Sequence, residues 1–185
     1  PVRGETVTGL FHFGGFRVSL HAITAAAVWM AALAVYLLTV APTVSFWDNG
    51  EFLTVSSIMG VPHPPGSPLL TLTGRVASLV PAIDVRTGTT GTAAYRINLV
   101  AAFSAAFAAL LVYLITVRII RRIIPGAGSP GTDWPVCFGG TLAACAAAFS
   151  NQFWENAVEF ETYMPGLLLS LLALWLALRW DDCRA

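Results

Sequence analysis

Four long apolar runs dominate the chain, at residues 20–41, 95–117, 136–153 and 163–180. Each is close to the length of about 20 residues at which a helix crosses the hydrocarbon core of a bilayer. Two shorter stretches separate the first two runs: residues 46–59 carry an apolar stripe on one helical face, and residues 68–80 are too short to cross. The pattern therefore predicts an all-α integral membrane protein with about four transmembrane helices and two interfacial helices in its first outer loop.

This pattern also predicts the domain organisation. Residues 20–180 are expected to form a single membrane domain, preceded by a lead-in segment along the membrane surface at residues 1–19 and followed by a cytoplasmic tail at residues 181–185. Small residues are unusually frequent in the third run, and in lipid they allow helix backbones to approach closely, so we expect this helix to be packed inside a bundle. They are Gly139, Gly140, Ala143, Ala144, Ala146, Ala147 and Ala148.

Composition supports the membrane assignment and narrows the function. Hydrophobic residues make up 56% of the chain and charged residues 11%, a charged share well below that of soluble domains. Its ten basic residues, all arginine, are matched by ten acidic ones, so net charge gives no reason to expect a nucleic-acid partner. The three cysteines follow no metal or redox spacing, and we predict no disulfide, zinc site or other cofactor, with any need for a divalent metal left open.

The placement of arginines predicts the orientation. Residues 42–94 and 154–162 would lie on the outer face and both termini in the cytoplasm, because more arginines flank the opposite ends of the four runs. We expect the bacterial inner membrane. The two acidic loops, which carry Asp48 and Glu51 in one case and Glu155 to Glu161 in the other, would then meet on the same side. The expected cytoplasmic arginines are Arg3, Arg17, Arg118, Arg121, Arg122, Arg179 and Arg184, and the outer ones are Arg75, Arg86 and Arg96.

Asp48 and Glu51 are the first candidates for catalysis. In a helix over residues 46–59 they are three positions apart and share a face, where a partly shielded carboxylate can act as a general base toward a hydroxyl. A structural alternative stays open: Ser45 and Asp48 fit a capping box, with Ser45 as the N-cap.

A second group of candidates would bind substrate. His63, inside the stiff Val61–Pro68 segment, offers a hydrogen bond to a phosphate or sugar. From the residues alone, the favoured alternative is a turn between two interfacial helices in which His63 is merely exposed. Glu159 and Glu161 belong to the other acidic loop, for which the alternative is an ordinary solvated loop without a role in binding. Arg75 and Arg96 suit an anionic group, whether substrate or lipid headgroup.

Three sequence elements, in order, resemble a known family. They are Asp48, Gly50 and Glu51 in FWDNGEF; Pro62–Gly66 in GVPHPPGSPL; and Phe153, Trp154, Glu159 or Glu161 and Tyr163 in FWENAVEFETYMPG. Together they resemble the N-terminal part of the GT-C-type membrane glycosyltransferases once catalogued only as a domain of unknown function, a family whose animal member is a protein O-mannosyltransferase of receptor ectodomains.

The resemblance implies sugar transfer from a polyprenyl-phosphate donor to a hydroxyl acceptor at the outer membrane face. By motif, Asp48 would be the general base with Glu51 beside it. Residues including His63, Pro64, Pro65 and Gly66 would shape the donor site, Glu159 or Glu161 would support the cleft, and an outer arginine such as Arg75 or Arg96 would steady the departing phosphate.

The chain is short for such an enzyme, so we expect a fragment or a truncated relative. The alternative hypothesis is a non-catalytic accessory subunit of a larger membrane complex, for example respiratory or photosynthetic. The expected partners are the lipid bilayer, a polyprenyl-linked sugar donor and other membrane subunits.

Overall fold

The computed structural model describes residues 10–13, 16–45, 47–127 and 133–184. Within these residues the regular secondary structure is helical apart from one short hairpin. The strands are β1 (Leu10–Phe13) and β2 (Phe16–Ser19), and the helices are α1 (Leu20–Thr39), α2 (Asn49–Ile58), α3 (Pro68–Leu79), α4 (Ala93–Ile123), α5 (Asp133–Ala148), α6 (Asn151–Val158) and α7 (Tyr163–Arg184).

Three of the described helices, α1, α4 and α7, are long and apolar enough to cross a membrane. This confirms the all-α integral membrane fold. The third predicted run is also helical, but α5 has only 16 residues and would span about 24 Å at 1.5 Å per residue. Its crossing of the bilayer stays a prediction.

The predicted boundaries differ from the observed ones at several ends. Helix α4 continues to Ile123, past the arginines that were expected to follow it, and α7 continues through the predicted tail to Arg184. The lead-in segment contains the antiparallel β1–β2 hairpin; the rest of that prediction, residues 1–9 and 14–15, lies outside the described residues.

The turn expected at residues 154–162 begins as a helix, α6, and the helix expected to reach residue 153 ends at Ala148. Ser150, the N-cap of α6, is extended at φ −68° and ψ 147°, so α6 is a new helix rather than a continuation of α5.

Helix α4 is the centre of the bundle, and α1, α5 and α7 pack around it. Alanines on α4, Ala102, Ala105, Ala106 and Ala109, form a core cluster with residues of α1, α5, α6 and α7, and their small side chains permit close packing. The Tyr36 hydroxyl on α1 donates to the Ala148 carbonyl at 2.8 Å, tying α1 to the end of α5.

The small residues of α5 pack against the bundle along one face, so this helix is not enclosed as expected. A Cβ at Gly140 would lie 3.0 Å from the ring of Tyr113 on α4, so α5 and α4 are as close as glycine allows. The buried positions Val136, Cys137, Gly140, Ala144 and Ala148 form one stripe, which confirms the contact with the bundle on that face alone.

Helices α2 and α3 pack on each other and on the start of α4. The capping box at Ser45 is wrong: α2 begins at Asn49 with Asp48 as N-cap, and the Asp48 side chain makes no capping hydrogen bond. Helix α3 begins at Pro68, where the predicted stretch 68–80 also begins, and Ser67 before it is left-handed at φ 33° with no side-chain capping bond.

Candidate functional site

The two acidic loops line one groove of about 940 Å³, a size found among small-molecule sites, which occupy about 300–1,000 Å³. Asp48, at the N-terminus of α2, contributes one part of the wall. Glu155 on α6, and Glu159 and Glu161 in the segment between α6 and α7, contribute another. The fold thus brings carboxylates about 110 residues apart in the chain to one groove, in agreement with the prediction that the two acidic loops meet on the same side.

A buried amide network explains why these loops meet. The Asn98 side chain on α4 accepts hydrogen bonds from the Phe160 backbone N–H and from Asn49 Nδ2, both at 3.0 Å. Its own amide donates to the carbonyls of Ala41 and Thr43, at 3.0 and 3.2 Å.

Asn49 extends this network. Its Nδ2 also donates to the Phe160 carbonyl at 3.3 Å, and its Oδ1 accepts from the Ser45 N–H at 2.9 Å. Asn49, Asn98 and Phe160 are fully buried. Since Asn49 follows Asp48 and Phe160 lies between Glu159 and Glu161, the network fixes the two acidic walls relative to each other.

Glu51 and His63 form a pair beside Asp48. The His63 backbone N–H donates to Glu51 Oε1 at 2.6 Å, and His63 Nδ1 lies 2.8 Å from Glu51 Oε2. These hydrogen bonds lower the pKa of Glu51 and raise the pKa of His63. Glu51 therefore holds the imidazole in place and favours its charged form.

Ligand atoms of Asp48, Glu51 and His63 lie within 4.8 Å of one another. Carboxylate oxygens and imidazole nitrogens are ligands for divalent cations. Among the residues that the structure describes, these three therefore form a cluster that could hold such a cation. Both Glu51 oxygens are engaged by His63, and a cation would have to displace that pairing. The expectation of no metal stays a prediction.

Burial raises the pKa of the two carboxyl groups between α6 and α7, those of Glu159 and Glu161. For Glu159, a hydrogen bond from Ser45 partly offsets this increase in pKa. For Glu161, the negative charges of Glu159 and Asp48 raise the pKa further. Glu161 is only 8% exposed. Glu155 lies on α6, which ends at Val158, and Glu159 beyond it is extended.

The predicted arginines lie elsewhere. Arg75 Nη1 donates to the Ser57 carbonyl at 2.7 Å, fastening α3 to α2. Arg96 lines a separate apolar cavity of about 450 Å³, formed by α4 and the end of α3 with Leu168 of α7 at its edge. Arg86 pairs with Asp84 at 2.7 Å and donates to the Val40 carbonyl, so it anchors the loop between α3 and α4 to the end of α1.

The Pro64, Pro65 and Gly66 segment forms a tight turn next to the Glu51–His63 pair. The Gly66 N–H donates to the His63 carbonyl at 3.0 Å, and Gly66 has φ +93°, which glycine adopts without strain. The turn presents His63 toward Glu51.

Three residues of the site were missed by sequence reasoning: Trp47, Asn49 and Asn98. Trp47 lines the groove beside Asp48. The signal for Asn98 was available, because it is an amide near the start of an otherwise apolar run, where a buried polar side chain needs partners.

Comparisons with known proteins bear on the site. Residues 48–185 match the family model described as the Protein O-mannosyl-transferase TMEM260 N-terminal domain. The mouse Protein O-mannosyl-transferase TMEM260 is 31% identical over 160 residues, covering 86% of this chain and 20% of that protein. The Dictyostelium discoideum Protein O-mannosyl-transferase tmem260 is 26% identical over 153 residues, covering 80% of this chain and 16% of that protein. The chain thus spans a fifth or less of the length of these relatives, and no solved structure matches.

Proposed function

The chain belongs to the Protein O-mannosyl-transferase TMEM260 N-terminal domain family, and on that premise we propose that it carries the catalytic acidic groove of a GT-C-type membrane glycosyltransferase. The reaction is transfer of a sugar from a polyprenyl-phosphate donor to a hydroxyl acceptor at the outer membrane face. The observation that carries the proposal is the meeting of Asp48 with Glu159 and Glu161 around one groove.

Asp48 is the general base. Its side chain makes no capping hydrogen bond to α2, whereas both oxygens of Glu51 are bound by His63. The carboxylate of Asp48 is therefore available to accept the proton of an acceptor hydroxyl as that oxygen attacks the sugar. Glu51 then acts as a positioning residue for His63.

His63 binds the donor phosphate. Its Nδ1 is engaged by Glu51, which leaves Nε2 for a ligand, and its raised pKa favours the imidazolium that an anion needs. The turn through Pro64, Pro65 and Gly66 shapes this side of the donor site.

The guanidinium of Arg96 is available to bind an anion, which supports the same proposal. Among the described residues Arg96 pairs with no carboxylate, and its guanidinium makes only long hydrogen bonds, to the Thr92 and Val80 carbonyls at 3.3 and 3.5 Å. It lines an apolar cavity suited to a lipid-linked anion. Arg75 is the weaker candidate because Ser57 already engages it.

The orientation is part of the proposal: both termini are cytoplasmic and the groove opens on the outer face. The accessory-subunit hypothesis is not favoured, since both relatives are named transferases.

The test is Asp48→Asn in the natural gene product, purified in detergent and assayed with a polyprenyl-phosphate mannose donor. Transfer should fall by about 10²-fold or more, the upper contribution of a general base being about 10⁴-fold, while expression and thermal midpoint stay unchanged. Asp181→Asn makes the same chemical change at the opposite end of the bundle, where Asp181 is paired with Arg122, and should transfer normally. Wild-type rates in Asp48→Asn would refute the role of Asp48.

A further inference from the structure

Trp47 is held in an unusual conformation. Its φ is +58°, a left-handed backbone that bulky side chains seldom adopt and that clusters at functional sites. The side chain is 91% exposed and lines the acidic groove next to Asp48. Packing against the described residues therefore does not explain why the chain presents this indole.

Glu161 is a second unexplained group on the same groove. It is 8% exposed, and no described residue makes a hydrogen bond or ion pair with its carboxyl group. Its neighbours in charge are Glu159 and Asp48, and burial raises its pKa. Because Glu161 lines the groove, its carboxyl group is available there to accept hydrogen bonds from a ligand, and a largely buried carboxyl gains more from such bonds than an exposed one does.

We infer that Trp47 and Glu161 form the subsite for the transferred sugar, a pyranose whose apolar C–H face packs on the indole while its hydroxyls bond to the carboxyl group. The inference rests on the proposed function and adds the residues that select the sugar. Aromatic faces provide large, rigid apolar area, and a site that bonds a hydroxyl rejects analogues without it far more strongly than an apolar pocket does.

The position agrees with the proposed chemistry. Trp47 directly precedes Asp48, and Glu161 is two residues from Glu159, so a ring between the indole and Glu161 lies beside the proposed base. The groove, at about 940 Å³, exceeds a single hexose and leaves space for an acceptor.

The test uses Trp47→Ala and Glu161→Gln in the natural gene product in detergent. Trp134→Ala is the matched control, because Trp134 is also exposed, at 65%, but lies at the start of α5 outside the groove. Two readouts are needed: the KM and kcat for a short-chain isoprenyl-phosphate mannose, and direct binding of that donor compared with the same isoprenyl phosphate lacking the sugar.

We expect both variants to raise KM about 10-fold or more and to remove the affinity difference between the two probes, with Trp134→Ala unchanged. If the wild type transfers mannose and both variants keep its KM, the subsite is wrong and the proposed function stands. If the wild type does not transfer, the proposed function fails and binding decides the subsite: a preference for the sugar-bearing probe that the variants lose supports it. Equal binding of the two probes by the wild type would overturn it and assign Trp47 to the lipid headgroups.

Discussion

Replacing Asn98 by leucine tests what holds the acidic groove together. The two side chains are similar in size, so the change removes hydrogen bonds with little change in volume. Asn98 makes four of them: two that it accepts, from Asn49 and the Phe160 N–H, and two that it donates, to Ala41 and Thr43.

The expected loss follows from which partners are left without a replacement. The Phe160 N–H becomes a buried donor with no acceptor, which costs about 1–3 kcal/mol. Asn49 keeps its bond to the Phe160 carbonyl, and the two carbonyls lie at the end of α1, where water offers partial compensation. Together we expect Asn98→Leu to destabilise the fold by about 3–5 kcal/mol, at the upper end of single substitutions.

Two measurements in detergent check this estimate. At about 2–4 °C per kcal/mol for a chain of this size, the thermal midpoint should fall by roughly 10 °C, and amide hydrogen exchange should accelerate at residues 41–49 and 158–162. Asn151→Leu, an exposed amide at the start of α6, is the control and should shift the midpoint little. Equal midpoints for the two variants, with unchanged exchange at Phe160, would refute the role of the network.

Two other changes test the local geometry. A Cβ at Gly74 would lie 2.8 Å from Ser56 Cβ and 3.0 Å from Phe160 Cε1, so Gly74→Ala should destabilise by about 1–3 kcal/mol through overpacking. Adding Ser56→Gly removes the first contact only, so the double variant should lose less than the sum of the two single losses. A Gly74→Ala variant as stable as wild type would contradict the close contact. Glu51→Gln should lower the pKa of His63 toward its ordinary value, measured by NMR titration of the ring. The pair raises the pKa of His63 and lowers that of Glu51, so its stabilisation of the fold is complete at mildly acidic pH. That stabilisation is lost as pH rises through the raised pKa of His63, and also as pH falls through the lowered pKa of Glu51. An identical His63 titration in the wild type and in Glu51→Gln would count against the pairing.

Much of the fold was accessible from local pattern. Apolar runs of sufficient length predicted α1, α4 and α7, and the shorter stretch predicted over residues 68–80 begins at Pro68, as α3 does, because these features depend on neighbours along the chain. Cap identities were not predictable in the same way. Ser45 satisfies the capping-box pattern, yet its N–H donates to Asn49 Oδ1, a contact set by the network through Asn98.

For the candidate site, too, the sequence identified candidate residues but not the contacts that distinguish their roles. Acidic residues beside the membrane marked Asp48, Glu51, Glu159 and Glu161 as candidates, but the roles of the two in the first loop differ only because His63 folds back onto Glu51. Arg75 and Arg96 were equivalent as sequence positions, and the structure distinguishes them by what each guanidinium contacts.

Hydrophobic length and charge position are properties of short segments, so they were enough to identify a helical membrane protein with two acidic loops. The shared groove of these loops is a property of the folded chain. That outcome depends on hydrogen bonds between Asn49, Asn98 and Phe160, residues 49 to 111 positions apart, whose pairing no local pattern encodes.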